Sequence, residues 1–223
     1  MDFRHEWKHE ISFSDLLIIR QRLRAVAGMD PNSINGKYEI RSLYFDNWQD
    51  KALREKIDGV NKREKFRIRY YNGDKSFIRL EKKTKINGLG NKQSAAIAEK
   101  QAQAIVDGDY EWMRESNEML VKELYSKILS QCLRPKTIVD YTREAFAYSP
   151  GNVRITLDYN IRTGLARTDF LSPNCVTVPV GTPIIILEVK WDNFLPDVIQ
   201  DAIQLEGRRA GAFSKYAACR IYG

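Results

Sequence analysis

Charged and apolar residues alternate at period two along six stretches of the chain, which is the spacing of a β-strand whose successive side chains point to opposite faces. In Lys65-Phe66-Arg67-Ile68-Arg69-Tyr70 the cations share one face, and Phe66, Ile68 and Tyr70 share the other. The corresponding face of the other stretches carries Arg4, Glu6 and Lys8; Arg79, Glu81, Lys83 and Lys85; Tyr141 and Arg143; Arg154, Thr156, Asp158, Asn160 and Arg162; and Glu188 and Lys190. Apolar residues stand between them, as Val153, Ile155, Leu157, Tyr159 and Ile161 do in one stretch and Leu187, Val189 and Trp191 in another. Two architectures fit. The charged faces are the wet side of an antiparallel sheet, or they line a closed barrel whose apolar exterior is covered by helices. A face meeting only water would mix its Arg with Ser, Thr and Gln, whereas Arg-x-Arg and Glu-x-Lys pairs recur here.

The remaining segments predict helices and turns around these strands. Ser12 or Ser14 caps a helix over 15–26 with Leu16, Leu17, Ile19, Leu23 and Val26 as its apolar stripe. A strand over 37–46 leads through Asp46-Asn47, read as a cap, into a short helix ending near 57. Strands over 63–71 and 76–86 are joined by Asn72-Gly73, a hairpin signal. Asn87-Gly88-Leu89-Gly90-Asn91 turns into a strand near 92–97. Residues 98–131 read as two helices broken at Gly108, the second carrying Leu120, Leu124, Ile128 and Leu129 on one face. Strands follow at 136–148, 153–163, 176–180 and 183–191, and Leu195-Pro196-Asp197 opens the last helix. With no linker, repeat or low-complexity segment, residues 1–223 read as one domain.

Composition narrows the partners. A formal charge of +7 and a pI near 9.2 favour an anionic partner. Cys132, Cys175 and Cys219 form neither a CxxC pair nor a disulfide framework, which predicts reduced thiols and a cytoplasmic location. No apolar run approaches the ~20 residues of a membrane span, and the first residues are too polar for a signal peptide.

The segments Tyr38-Glu39-Ile40-Arg41-Ser42-Leu43-Tyr44-Phe45-Asp46, Phe66-Arg67-Ile68-Arg69-Tyr70-Tyr71, Phe77-Ile78-Arg79-Leu80-Glu81-Lys82-Lys83, Tyr141-Thr142-Arg143-Glu144-Ala145-Phe146, Val153-Arg154-Ile155-Thr156-Leu157-Asp158, Leu187-Glu188-Val189-Lys190 and Phe213-Ser214-Lys215-Tyr216 together resemble the polyphosphate polymerase domain of the vacuolar transporter chaperone (VTC) complex and its bacterial relatives. That family belongs to the triphosphate tunnel metalloenzymes. The resemblance implies an α+β fold built on an antiparallel, eight-stranded closed β-barrel with helices packed outside. It also implies transfer of the γ-phosphoryl group of ATP to inorganic polyphosphate.

Carried over residue by residue, the resemblance makes Lys8, Arg67, Arg69, Lys83, Arg143, Arg154, Glu188 and Lys215 the catalytic set. Arg54, Lys92, Tyr141 and Ser214 add substrate contacts. Glu188, with Glu81 as a second candidate, would ligate Mn2+ or Mg2+, hard cations that suit carboxylate and phosphate oxygens. Regulation and coupling to membrane transport would come from a membrane-protein partner outside this chain.

The chemistry agrees with this reading. Phosphoryl transfer asks a protein mainly to align reactants and stabilise phosphate oxygens, so no Ser-His or Cys-His nucleophile is needed. His5 and His9 fall on the apolar side of the first strand with Phe3, Trp7 and Ile11. Triphosphatases of the superfamily carry Glu-x-Glu-x-Lys on that strand, where this chain has Arg4-His5-Glu6-Trp7-Lys8, so chain elongation is favoured over hydrolysis. A non-catalytic polyphosphate-binding subunit is the other alternative. Nucleic acid is disfavoured because the aromatics alternate away from the cations and carboxylates stand among them.

Overall fold

Ser12 begins the first helix with a reciprocal capping box: its hydroxyl accepts the Asp15 amide at 3.1 Å, and the Asp15 carboxylate accepts the Ser12 amide at 2.8 Å. In the computed structural model, which describes residues 4–205, 211 and 213–221, the elements run β1 (His5–Ile11), α1 (Phe13–Val26), β2 (Gly28–Met29), β3 (Lys37–Asp46), α2 (Lys51–Ile57), β4 (Lys62–Tyr71), β5 (Asp74–Ile86), β6 (Leu89–Ile97), α3 (Glu99–Asp107), a 3-10 turn (Glu111–Glu115), α4 (Met119–Gln131), β7 (Arg134–Tyr148), β8 (Val153–Thr163), β9 (Val178–Pro179), β10 (Ile185–Trp191), α5 (Asp197–Ile203) and α6 (Lys215–Cys219). Asn72 and Gly73 both take positive φ, 52° and 74°, as a two-residue hairpin turn requires. Asp46 and Asn47 cap α2 from a distance, Asp46 accepting the amides of Ala52 and Leu53 and Asn47 those of Gln49 and Lys51.

The chain divides into two compact units. The first comprises Met1–Glu39, Tyr141–Ile161 and Val180–Phe213. Within it β1, β10 and β8 are antiparallel neighbours, with Lys8 opposite Glu188 opposite Thr156, and Glu6 opposite Lys190 opposite Arg154. On the reverse face Ile155, Leu157, Leu187, Val189 and Trp191 pack with Leu16, Ile19 and Leu23 of α1 and Ile199, Ala202 and Ile203 of α5. The second unit comprises Ile40–Asp140, Arg162–Pro179 and Ser214–Gly223. There β3, β4, β5 and β6 are successive antiparallel neighbours, with Tyr44 opposite Arg67, Arg67 opposite Glu81, and Lys83 opposite Lys92. Phe66, Ile68, Tyr70, Ile78, Leu80, Ala95 and Ile97 share the reverse face and close against Ala102, Ile105, Leu120, Val121, Leu124 and Ile128 of α3 and α4. In each unit the period-two alternation thus separates a charged face from a helix-covered one.

The α+β class and the antiparallel strands match expectation, but the closed barrel does not. Among the described residues β1 pairs with β10 alone and β6 with β5 alone, so the sheet keeps two open edges. Alternation reports which way side chains point and carries no information about whether edge strands meet. Other corrections are local. The predicted strand at 176–180 shrinks to Val178–Pro179, since Pro179 and Pro183 have no amide to donate to a ladder. Leu17 and Leu129 leave the predicted stripes for solvent. Pro196 stands at the N-cap of α5 instead of inside its first turn, and α6 adds a helix after the one expected to be last. No described helix is long and apolar enough to cross a membrane.

Candidate phosphate and metal site

In the second unit the charged face centres on Glu81, which is 2% exposed. Arg67 donates to its carboxylate through Nε at 2.7 Å, Lys92 pairs with its other oxygen, and the Arg69 guanidinium lies 3.8 Å away. Burial alone would push the Glu81 carboxyl up, but these cations outweigh it and hold it far below the usual carboxylate range. The arginines are braced from β3. Arg67 donates to the Tyr44 hydroxyl at 2.7 Å, and Arg69 donates to Ser42 Oγ through Nε and Nη2 at 3.1 and 3.0 Å. Tyr44 in turn stacks on Tyr216 of α6, whose hydroxyl donates to the buried Asp46 at 2.6 Å. Lys83 shares the face.

In the first unit the charges alternate in sign. Glu188, 7% exposed, receives Lys190 at 2.7 Å and Lys8 at 3.5 Å, while Glu6 receives Lys8 at 2.7 Å and Lys190 at 3.8 Å. Burial lowers the Lys8 pKa, but Glu188 and Glu6 prevail and raise it above its ordinary value. Arg143, with Tyr141 at 5.5 Å beneath its guanidinium, pairs with the fully buried Asp158 through two bonds of 2.6 and 2.8 Å. That pairing overcomes burial and raises the Arg143 pKa well above normal, fixing its charge. Arg154 is half exposed and reaches Asp30 at 3.2 Å. Thr156 stands between Arg154 and Asp158, and its buried hydroxyl has no hydrogen-bond partner.

The expected site residues thus fall into two groups. Lys8, Tyr141, Arg143, Arg154 and Glu188 belong to the first unit, and Arg67, Arg69, Glu81, Lys83 and Lys92 to adjacent strands of the second. Arg54 is exposed on α2. Ser214 accepts the Ala217 amide at 3.3 Å as the N-cap of α6, and Lys215 begins that helix. Arg41 lies away from the Glu81 cluster and pairs with Asp140 at 2.8 and 2.9 Å. His5 stacks on Trp191, 5.4 Å between centroids. Sequence reasoning passed over Ser42, Tyr44, Asp158 and Lys190 as site members. Ser42 and Tyr44 sit at alternate positions of β3, a signal that becomes readable once β3 is paired with β4.

Among the described residues no group of three or more His, Cys, Asp or Glu is placed to hold a metal. Two carboxylates nevertheless share cations in the first unit: Lys8 and Lys190 each pair with both Glu6 and Glu188. Two hard oxygen ligands fit a divalent cation that completes its shell with water or phosphate. Glu81 offers one carboxylate enclosed by three cations.

Known proteins bear on this arrangement. The chain is 28% identical over 186 residues to vacuolar transporter chaperone complex subunit 4 of Schizosaccharomyces pombe, a match covering 73% of this chain and 26% of that protein. It therefore spans about a quarter of that relative's length. A solved structure of a candidate adenylate cyclase from Bacillus halodurans shares the fold at a TM-score of 0.54 and 14% identity, covering 85% of this chain and 80% of that one. The model of the VTC domain matches residues 3–221, and with it the chain belongs to the VTC domain family.

Proposed function

We propose that this chain is a polyphosphate polymerase, transferring the γ-phosphoryl group of ATP to the end of a growing inorganic polyphosphate chain and releasing ADP. Family membership supports the reading. The observation that carries it is the charge balance on the β4-β5-β6 face, where one buried carboxylate, Glu81, meets Arg67, Arg69 and Lys92. After internal pairing, net positive charge remains for phosphate oxygens, and guanidinium groups match their geometry. Lys83 in that unit, and Lys8, Arg143 and Arg154 in the other unit, are phosphate contacts in the same proposal, with Arg54, Tyr141, Ser214 and Lys215 as further contacts. The terminal oxygen of a phosphate chain is ionised at neutral pH, so attack needs no general base.

A divalent cation such as Mn2+ or Mg2+ supplies Lewis-acid neutralisation of phosphate charge when bound. Glu188 and Glu6 would hold it. Transfer is preferred to hydrolysis because Arg4 occupies the place of a hydrolase's first carboxylate and pairs with Asp192 at 2.7 Å. A cytoplasmic location belongs to the same proposal, in keeping with three cysteines that are all free. So does a membrane-protein partner.

Incubating the purified chain with ATP and Mn2+, then resolving products by size, tests the reaction. Polyphosphate and ADP are expected together, with long chains early. ADP and orthophosphate in equal amounts without polymer overturn transfer in favour of hydrolysis. Polyphosphate binding with no ATP consumed overturns catalysis in favour of a binding subunit.

A further inference from the structure

On the charged face of the first unit three strands lie side by side, and their register forms two rows. One row is Glu6, Lys190 and Arg154, and the other is Lys8, Glu188 and Thr156. Five of the six residues are charged. The sixth, Thr156, is 4% exposed, and its hydroxyl has no hydrogen-bond partner.

A buried hydroxyl with no partner forfeits its hydration without return, so its persistence in the middle of a charged face calls for an explanation. A valine has the same shape and would fill the position without that cost. The hydroxyl is therefore useful only in a state where a polar atom reaches it. The neighbouring cations indicate which atom that is. Arg154, two residues along the same strand, and Lys190, opposite Arg154 on the next, border Thr156, and their side chains are 48% and 35% exposed, so they have room to swing toward an incoming anion.

We propose that Thr156 is a substrate-binding residue whose hydroxyl donates a hydrogen bond to a phosphate oxygen of the bound polyphosphate or nucleotide triphosphate. A phosphate that draws Lys190 and Arg154 to itself uncovers the hydroxyl and supplies the acceptor it lacks. Glu188 across the strand repels the same phosphate, and a neutral donor beside it binds an oxygen without being neutralised by that carboxylate. The inference rests on the polymerase reading and adds a residue to it.

The test uses tripolyphosphate as the probe, with Thr156→Val and Thr156→Ser variants of the full chain. Removing an orphaned hydroxyl should leave the ligand-free Thr156→Val protein at least as heat-stable as the unmodified one, by up to about 2–4 °C. Its affinity for tripolyphosphate, measured calorimetrically with Mn2+ present, should fall about five- to tenfold, the value of one hydrogen bond. Thr156→Ser should bind nearly as tightly as the unmodified chain. Unchanged binding by Thr156→Val overturns the assignment alone. Weaker binding of Mn2+ by itself, with tripolyphosphate binding intact, also overturns it and makes the hydroxyl a metal ligand. Absence of tripolyphosphate binding by the unmodified chain overturns the polymerase reading and this assignment together.

Discussion

The Glu81 and Glu188 clusters use the same strand alternation to opposite electrostatic ends. Around Glu81 one carboxylate is surrounded by two guanidiniums and an ammonium, and the guanidiniums are braced by Tyr44 and Ser42. Around Glu188 two carboxylates and two ammoniums alternate, each lysine pairing with both Glu6 and Glu188. A surplus of braced cations suits a polyanion, whereas two carboxylates sharing two ammoniums offer the hard oxygen ligands that a divalent cation takes. Under the proposed function, the contrast makes the Glu81 cluster the stronger holder of phosphate and the Glu6-Glu188 pair the candidate holder of metal.

The sharpest way to break that division is Glu188→Gln. It should lower turnover with Mn2+ by about 10²–10³, the usual cost of losing one preorganised charge contact, with only a modest fall in melting temperature because Lys8 and Lys190 keep Glu6 as a partner. Turnover within about twofold of the unmodified chain at saturating Mn2+ would make Glu188 a mere partner of Lys8 and Lys190.

Next in size is Glu81→Gln, which leaves Arg67 and Arg69 facing one another without their anion. Breaking a buried pair costs about 3–5 kcal/mol, and the low end applies because Arg67 and Lys92 reach solvent. Tripolyphosphate should restore more stability to this variant than to the unmodified chain, because it supplies the missing negative charge. The pH dependence follows from the sign of the shift. The Glu81 carboxyl is depressed on folding, so its contribution is complete above the unfolded value of about 4.3 and is lost as pH falls below it. The raised pKa of Lys8 acts in reverse, its contribution holding below about 10.4 and fading at higher pH. Denaturant unfolding at pH 3 to 7 should therefore narrow the gap between the unmodified chain and Glu81→Gln on the acid side. If the gap stays constant across that range, the pairing at Glu81 does not stabilise the fold.

Arg67→Ala and Arg69→Ala should each weaken tripolyphosphate binding about tenfold to a hundredfold, in line with a charge-assisted hydrogen bond of about 1.5–3 kcal/mol. Equal affinity in both variants by calorimetric titration would turn this face into an ordinary wet surface. The smallest stability effect belongs to Arg154→Ala. Its pair with Asp30 is half exposed, and thermal unfolding should register about 0–1 kcal/mol. A larger loss would mean that Arg154 supports the fold.

Local signals carried most of the element assignments. Asn72-Gly73, the Ser12 cap and Gly108 each depend on backbone conformations or hydrogen bonds within a few residues, and all three act as their residue types predict. α6 escaped notice because five residues give too little periodicity, and its cap, Ser214, reads equally well as a loop serine. Leu17 and Leu129 were misassigned because a stripe read by hydrophobicity takes in a residue about 100° around the helix from the core.

Sequence alone determined the faces. Period-two alternation follows from strand stereochemistry, so the cations of Arg67 and Arg69 and the apolar side chains of Phe66 and Ile68 had to part, whatever the strands paired with. Tertiary structure decided the partners. That Glu81 meets Lys92, that Tyr44 braces Arg67, that Glu188 shares Lys8 with Glu6, and that Thr156 is left without a partner all depend on register between strands distant in sequence. The two open edges are likewise a property of the assembled sheet. A strand's side-chain pattern encodes direction, and a hydrogen-bonded edge adds little to that pattern because its donors and acceptors belong to the backbone that every residue shares.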